Sequence, residues 1–302
     1  MRYRTFSDFL RQHFPAHKVQ KIAVDAGFGC PNRDGAKGFG GCTYCADDTF
    51  TPPTLTLEDG IRRFSGKYPA MKYLVYFQNH TNTYAPVDIL RRKYEKALGG
   101  PDVVGLVIGT RPDCLGDDIV DYLADISRRY FLLVEIGLET TSDMTLRRIN
   151  RRHTWEEACH AVRRLAACGI HVGAHLILGL PGETPADCLR HADRLAALPL
   201  ATLKLHRLQL IRHTPMADEY LARPDDFHLF TLDEYIDLVI HFLQRTPASV
   251  AFDRFVAQSP PDRLLLPDQG LKNYRFTALL QRRLTECDTF QGAALHPRNT
   301  EK

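Results

Sequence analysis

Six apolar, β-branched runs recur along the chain, and between them lie segments whose apolar residues return at helical spacing. The runs KIAVDAGF (21–28), YLVYFQ (73–78), VVGLVIGT (103–110), FLLVEIGLE (131–139), HVGAHLILGL (171–180) and TLKLHRLQLI (202–211) predict strands. Stretches such as VDILRRKYEKALG, LGDDIVDYLADISRR, TWEEACHAVRRLAACG and TPADCLRHADRLAAL predict amphipathic helices. Thr154 is placed to cap the helix that begins at Trp155, and Gly169 to end it; Thr184-Pro185 reads as an N-cap and first-turn pair. Strands alternating with helices imply parallel βαβ units, and near-continuous apolar runs suit strands covered on both faces. Six such units fall two short of a closed eight-stranded barrel, so the pattern allows a partial barrel or an open doubly wound sheet. Beyond about residue 213 the rhythm changes to a helix (TLDEYIDLVIHFLQRT), a candidate seventh strand (VAFDRF) and a final helix (NYRFTALLQRRLTEC). The predicted organisation is an N-terminal extension over 1–20, a core over 21–213, and an extension over 214–302 packed on that core.

Composition narrows the class. A 302-residue chain with 44% hydrophobic and 25% charged residues is that of a globular protein. The net charge of +3 permits an acidic partner without demanding one. No run of about 20 apolar residues predicts a membrane span. The opening MRYRTFSDFLRQHF is polar and broken by charge, unlike a secretory signal, so a cytoplasmic location without disulfides is expected. Clustered cysteines in such a chain point to metal or catalysis. Cys114, Cys159, Cys168, Cys188 and Cys287 are scattered and read as small, mostly buried apolar residues.

The other three cysteines sit in one glycine-rich loop, CPNRDGAKGFGGCTYC, just past the first strand. Cys30, Cys42 and Cys45 have the spacing C-x11-C-x2-C. Thiolates suit iron–sulfur clusters or zinc. A structural zinc takes four protein ligands, whereas only three cysteines are local here. On a four-iron cluster, three ligands leave one iron free for something else. Gly35, Gly38, Gly40 and Gly41 would let the backbone wrap a bulky group and turn N–H groups toward its sulfurs.

A strand followed by three cysteines, the last two as C-x-aromatic-C, resembles the radical S-adenosylmethionine (radical SAM) superfamily. The long first gap, within CPNRDG…GGCTYC, resembles its YhcC-type branch, related to the elongator catalytic subunit. The likeness covers about residues 20–290. It implies a partial TIM-type (β/α)6 barrel with an α-rich C-terminal extension. It also implies a [4Fe-4S] cluster on Cys30, Cys42 and Cys45, with Tyr44 packed against a ligand, and S-adenosylmethionine on the fourth iron. One electron then cleaves the cofactor to a 5′-deoxyadenosyl radical that removes hydrogen from a substrate. A reducing protein such as flavodoxin or ferredoxin is the implied electron donor.

The resemblance also assigns candidate residues at the strand ends. The family often carries Gly-Gly-Glu after the second strand to hold the methionine part of the cofactor. Here the place reads YFQNHTNTYAP, whose Gln78, Thr81, Asn82 and Thr83 either do that work or cap the next helix. GTRPDC brings Arg111 to the mouth, for a carboxylate or for a nearby acid, with Cys114 beside it. EIGLET and RRINRRHT place Glu139 against ribose or amine and Arg151 against the cofactor carboxylate, with Glu135 on the same strand face. Arg147, Arg148 and Arg152 form either a phosphate-contacting face or a solvated helix surface. HLILGLPGET is similar to the strand that lies on adenine, giving Leu178 and Gly179; His175 stands where some relatives carry an acid. Lys204 and His206 in KLHRLQ alternate inward toward a substrate cavity. The elongator relationship suggests a tRNA uridine as substrate, with Lys272, Arg275, Arg282, Arg283 and Arg298 as phosphate contacts. A peptide or small-metabolite substrate, or a non-enzymatic zinc-binding interaction protein, remain the alternatives.

Overall fold

Seven parallel strands, curled into a half-barrel, carry the fold in a computed structural model that describes residues 1–46, 56–66, 70–267 and 271–295. The strands are β1 (Val19–Val24), β2 (Lys72–Phe77), β3 (Val103–Thr110), β4 (Phe131–Glu139), β5 (His171–Leu178), β6 (Thr202–Arg207) and β8 (Ala251–Arg254), hydrogen-bonded in that order. Two short strands, β7 (Leu210–Ile211) and β9 (Leu264–Leu266), form a separate antiparallel pair. The helices are α1 (Phe6–His13), α2 (Leu57–Ser65), α3 (Val87–Leu98), α4 (Asp117–Ser127), α5 (Asp143–Arg148), α6 (Trp155–Ala167), α7 (Pro185–Ala196), α8 (Pro215–Ala222), α9 (Leu232–Gln244) and α10 (Asn273–Glu286). Among the described residues no helix is long and apolar enough to cross a membrane.

Local chemistry sets the boundaries. Capping boxes open α1 (Thr5/Asp8), α6 (Thr154/Glu157), α7 (Thr184/Asp187) and α9 (Thr231/Glu234), each satisfying otherwise orphaned N–H groups. Pro185 starts α7, and Gly169 follows α6 at φ 76°, as their positions in the sequence predict. β1 ends earlier than its apolar run, because Asp25 accepts the Gly27 N–H at 2.7 Å and Gly27 turns into the left-handed region.

The two faces of the sheet have different jobs. Val75, Phe77, Leu106, Ile108, Val134, Ile136, Val172, Leu176, Leu203 and Leu205 face outward into the main core beneath the helices. The inner face is layered. At its amino end Leu74, Val107, Leu133 and Ala251 pack with Phe6, Phe9 and Leu10 of α1, which plugs the half-barrel. Above this floor lies a buried charged layer. Glu135 Oε2 meets Lys204 Nζ at 2.6 Å, Tyr76 Oη at 2.7 Å and His175 Nε2 at 2.7 Å, and Lys21 joins Asp253 at 2.5 Å. Above it, at the carboxyl ends of the strands, a cavity opens, where α/β sheets place their sites.

One expectation needs revision. The sixth run is not one strand: β6 stops at Arg207, and Leu208 and Leu210 are buried instead with Met216 and Phe227. The C-terminal segment packs on the core and contributes to its sheet: β8 pairs with β6, α9 packs on α7, and Thr5 before α1 bridges to Phe252. Among the described residues the sheet therefore has seven strands, with β8, from the candidate run VAFDRF, as the seventh.

Close strand approach gives a test. A Cβ at Gly105 would lie 2.1 Å from the Phe131 carbonyl oxygen, in the β3–β4 pairing. Gly105→Ala is expected to cost roughly 1–3 kcal/mol or more in denaturant unfolding. Gly66→Ala, with nothing within 4 Å, should stay within about 0.5 kcal/mol of wild type. Equal stabilities for the two variants would contradict the β3–β4 register.

Candidate active site

The cavity at the strand ends has a volume of about 190 Å³. Cys30, Cys42 and Cys45 line one wall, and Gln78, Arg111, Glu139 and Arg151 approach from the strand ends and following loops. The cysteine loop is a self-bonded unit. Arg33 N–H donates to Cys30 O at 2.9 Å, Gly41 N–H to Asn32 O at 2.8 Å, and Cys45 N–H to Cys42 O at 3.0 Å. Gly35 and Gly41 sit at φ 94° and 76°, where side chains are strained. The N–H groups of Gly35, Gly38 and Gly41 go to loop carbonyls rather than toward sulfur. The donors that reach sulfur are side chains instead. Asn32 Nδ2 lies 3.6 Å and Arg151 Nη1 3.5 Å from Cys42 Sγ. Outside the loop, Thr43 donates to Ile149 O and accepts from Met216 N–H at the start of α8, both at 3.0 Å.

Arg151 joins this loop to the sheet. Its Nη2 donates to Gly137 O at 2.7 Å and lies 3.4 Å from Glu139 Oε1; its Nε donates to His153 Nε2 at 3.1 Å. Gly137 leaves room for it, since a Cβ there would lie 2.6 Å from Arg151 Nη2. Asn150 and Arg152, on either side, adopt φ 54° and 63° and turn Arg151 inward. Glu139 itself sits at φ 67°, at the β4–β5 register break. Each such residue costs on the order of 1–3 kcal/mol and persists only where its surroundings dictate it. Around Asn150 these are its bond to Gly41 O at 2.7 Å and that of Asn32 Nδ2 to its own carbonyl at 2.6 Å. After Glu139, Thr140 donates to Glu183 at 2.5 Å, and Thr141 meets His191 Nδ1 at 2.8 Å.

Most of the predicted strand-end residues reach the cavity, but not all. Tyr44, Gln78, Thr81, Arg111, Glu139 and Arg151 line it with the three cysteines. Arg111 meets the nearby acid. Its Nε and Nη2 grip Asp113 at 2.9 and 3.1 Å, while its buried Nη1 has no partner. Asn82 and Thr83 do not reach the cavity. Asn82 Nδ2 is spent on Phe77 O and Gly109 O, and Thr83 Oγ1 bonds Cys114 O and Thr110. Leu178 faces the helix side of the sheet, and Gly179 packs beneath Phe230. Strand parity puts His175 and Ile177, not Leu178, on the inner face. Arg148 is paired with Glu219 and Asp226, and Arg152 with the Asn150 side chain. Cys114 opens on a neighbouring cavity, and burial pushes its thiol up to about 12. Asn79 and His80, which sequence reasoning passed over, also line the main cavity, Asn79 with a buried, unpartnered Nδ2.

These residues fit an iron–sulfur cluster with a polar ligand beside it. The three thiols share one wall, with side-chain donors at Cys42. Arg111 Nη1 and Asn79 Nδ2 are buried donors without acceptors. Among the described residues no three His, Cys, Asp or Glu side chains converge as a single metal ion requires. A cluster instead takes its thiolates at separate corners.

Comparison with known proteins agrees with this geometry. Residues 27–195 match the radical SAM superfamily, and residues 200–286 match the radical SAM C-terminal domain. The "Uncharacterized protein YtqA" of Bacillus subtilis is 37% identical, over 96% of this chain and 92% of its own length. "Protein YhcC" of Escherichia coli is 34% identical, over 92% and 91%. The Elp3 structure from the archaeon Methanocaldococcus infernus superimposes with a TM-score of 0.70 at 17% identity, over 91% of this chain. This chain spans 64% of the length of that one, and the likeness shows a shared fold.

His153 gives a measurable consequence of this packing. Burial, then the Arg151 charge, push it down to about 3, and a neutral ring suits its Nε2 accepting from Arg151. In the unfolded chain it titrates near 6.5. Between those values the native state binds fewer protons, so stability falls as the pH drops below 6.5. The loss from this group is about 2 kcal/mol at pH 5. His153→Gln keeps an acceptor but gains no proton, so it should flatten the pH 7-to-5 change in unfolding free energy by that amount. An unaltered slope would contradict the neutral ring.

Proposed function

The chain belongs to the radical SAM superfamily, as an enzyme of its YhcC-type branch, and from that premise we propose that Cys30, Cys42 and Cys45 hold a [4Fe-4S] cluster and that the cavity beside them binds S-adenosylmethionine. The observation that carries this reading is a single cavity with three cysteines on one wall and unpartnered buried donors on another. When bound, the pair supplies a 5′-deoxyadenosyl radical on reductive cleavage of the cofactor. The protein's own residues bind and orient. Arg111 Nη1 and Asn79 Nδ2 offer fixed donors, and Glu139 a carboxylate already turned toward the cavity. Gln78, whose amide makes no hydrogen bond among the described residues, lines the cavity with Thr81. Asn32 and Arg151 stabilise negative charge at Cys42.

For the substrate we propose a tRNA uridine, supported by the elongator-like motif and fold. One observation favours the alternative of a peptide or small metabolite. Arg283 on α10 is spent on Asp233 and Asp237, and Arg282 on Glu286, so two expected phosphate contacts are neutralised. Lys272 and Arg275 stay exposed, while Arg298 lies outside the described residues.

Anaerobic reconstitution tests the cofactor reading. About four irons per chain with labile sulfide are expected, and 5′-deoxyadenosine on reduction with S-adenosylmethionine. Cys30→Ala, Cys42→Ala or Cys45→Ala should each lose the iron and the brown colour, whereas Cys168→Ala, exposed beyond α6, should keep both. One bound zinc, or full cleavage in any of the three variants, would sink the assignment. Salt-sensitive stimulation of cleavage by bulk tRNA supports the RNA substrate; indifference to tRNA supports the small-molecule alternative.

A further inference from the structure

A second cavity, of about 230 Å³, opens beside the first and shares Tyr44, Gln78, Glu139 and His175 with it. His206, Arg207, Gln209 and Arg254 supply its polar wall, and Ile177, Leu208 and Ala257 its apolar one. We propose that this cavity anchors the substrate and that Arg254, with His206, grips an anionic group of it, a carboxylate or a phosphate. The inference rests on the assignment of the first cavity to the cofactor. The shared residues would then hold the substrate's reacting carbon at the boundary between the two.

Arg254 is the cation that the charged layer leaves over. Below it, Lys21 and Lys204 are matched by Glu135 and Asp253, two positive charges against two negative. Arg111 is spent on Asp113, Arg148 on Glu219 and Asp226, and Arg151 on Glu139; Arg207, in the same wall, donates to the Phe230 carbonyl. Among the described residues Arg254 meets no carboxylate. Its one polar contact runs from Nη2 to His206 Nε2 at 3.5 Å, and its buried Nε has no partner. A guanidinium cannot shed its proton to escape this position, so an incoming anion is the remaining compensation. A free Nε beside the Nη groups is the edge that takes carboxylate or phosphate through two hydrogen bonds.

The rest of the wall is arranged to receive such a group. Burial, then Arg254, hold His206 well below its ordinary value, so the ring is neutral. With Nε2 accepting from Arg254, its proton sits on Nδ1, an added donor rather than a competing acceptor. Ser259 donates to Gln209 Oε1 at 2.7 Å and fixes that amide. The volume lies below the usual range for whole small-molecule sites, about 300–1,000 Å³. It suits one base-sized or amino-acid-sized part of a substrate.

Anion binding needs no cluster, so the metal-free chain can be used. Sodium acetate and inorganic phosphate, titrated in parallel at constant ionic strength, would be followed by the ring nitrogen signals of His206 in long-range ¹H–¹⁵N spectra. The signal is assigned by its loss in His206→Asn. One anion should saturate the shift with a Kd of roughly 1–10 mM, as suits a ligand of so few atoms. Arg254→Gln should weaken it by about tenfold or more, and Arg254→Lys by less. Arg128→Gln, exposed at the end of α4, should bind as wild type does. Tighter acetate assigns a substrate carboxylate, and tighter phosphate a phosphate ester. No shift with either anion at ~100 mM, or equal affinity in Arg254→Gln, overturns the proposal. Should Arg254→Gln fail to fold, the wild-type and Arg254→Lys titrations decide. Lack of cofactor cleavage by reconstituted wild type would overturn the function proposed above while leaving the outcome of this titration intact.

Discussion

Glu135 is a carboxylate buried at mid-height in a half-barrel, and the layout of the interior follows from how it is compensated. Burial alone would raise it; Lys204, Lys21 and His175 outweigh that and hold it well below the usual carboxylate range. Such a cluster is weak evidence of net stability, since apolar packing often does as well. Its consequence is spatial. Below it the inner face is apolar and filled by α1; above it the inner face cannot close over as a core, because His175 and Glu135 themselves form part of the cavity wall. Lys21 joins the two regions, with Nζ 4.3 Å from the centre of the Phe6 ring and 3.7 Å from Glu135 Oε1. The plug, the charged layer and the cavity are thus successive levels of one sheet face.

A second constraint acts at the rim. The cysteine loop has little apolar surface with which to hold its place, and Arg151 and Asn150 supply the attachment. Both belong to the turn between α5 and α6, where left-handed residues flank Arg151. Strain collects at Glu139, Asn150 and Arg152 rather than in the strands. It is offset by hydrogen bonds from Asn32, Arg151 and Asn150 that fix the loop to β4 and to itself. Pre-organisation of this kind holds charged groups in place without further reorganisation on binding.

Much of this was legible in the sequence, for identifiable reasons. β3 and β4 were readable to the residue because each is a buried β-branched run bounded by turn or cap residues. The three cysteines, Glu139 and Arg151 stood out through their spacing and motif. That Leu178 lies on the helix side was not legible, because a strand buried on both faces hides its parity; Gly173 and His175 on the same strand mark the inner side. Asn82 and Thr83 looked like ligands because short polar side chains serve equally well as backbone braces, and only the fold shows which carbonyls lie in reach. Arg254 carried a fainter signal, a charged Asp-Arg pair inside an apolar strand, and its meaning depends on which neighbouring cations already have partners.

That strand also bears on how the chain should be divided. The C-terminal family match begins at residue 200, ahead of β6, rather than near 213 where the sequence rhythm changes. β6 and β8 are hydrogen-bonded to each other, and β6 in turn to β5, so neither position is a physical break in the sheet. The more useful division runs across the cavities. The cysteines and the ends of β2 to β4 surround the first, while residues from β6, β8 and the segments after them supply the polar wall of the second. Asp253 and Arg254, adjacent on β8, serve the two levels separately, one balancing the charged layer and the other left without a carboxylate. A single short strand therefore both completes the floor of the half-barrel and brings a cation to the neighbouring cavity. Changes beyond residue 200 can alter what that cavity accepts without touching the cysteine loop.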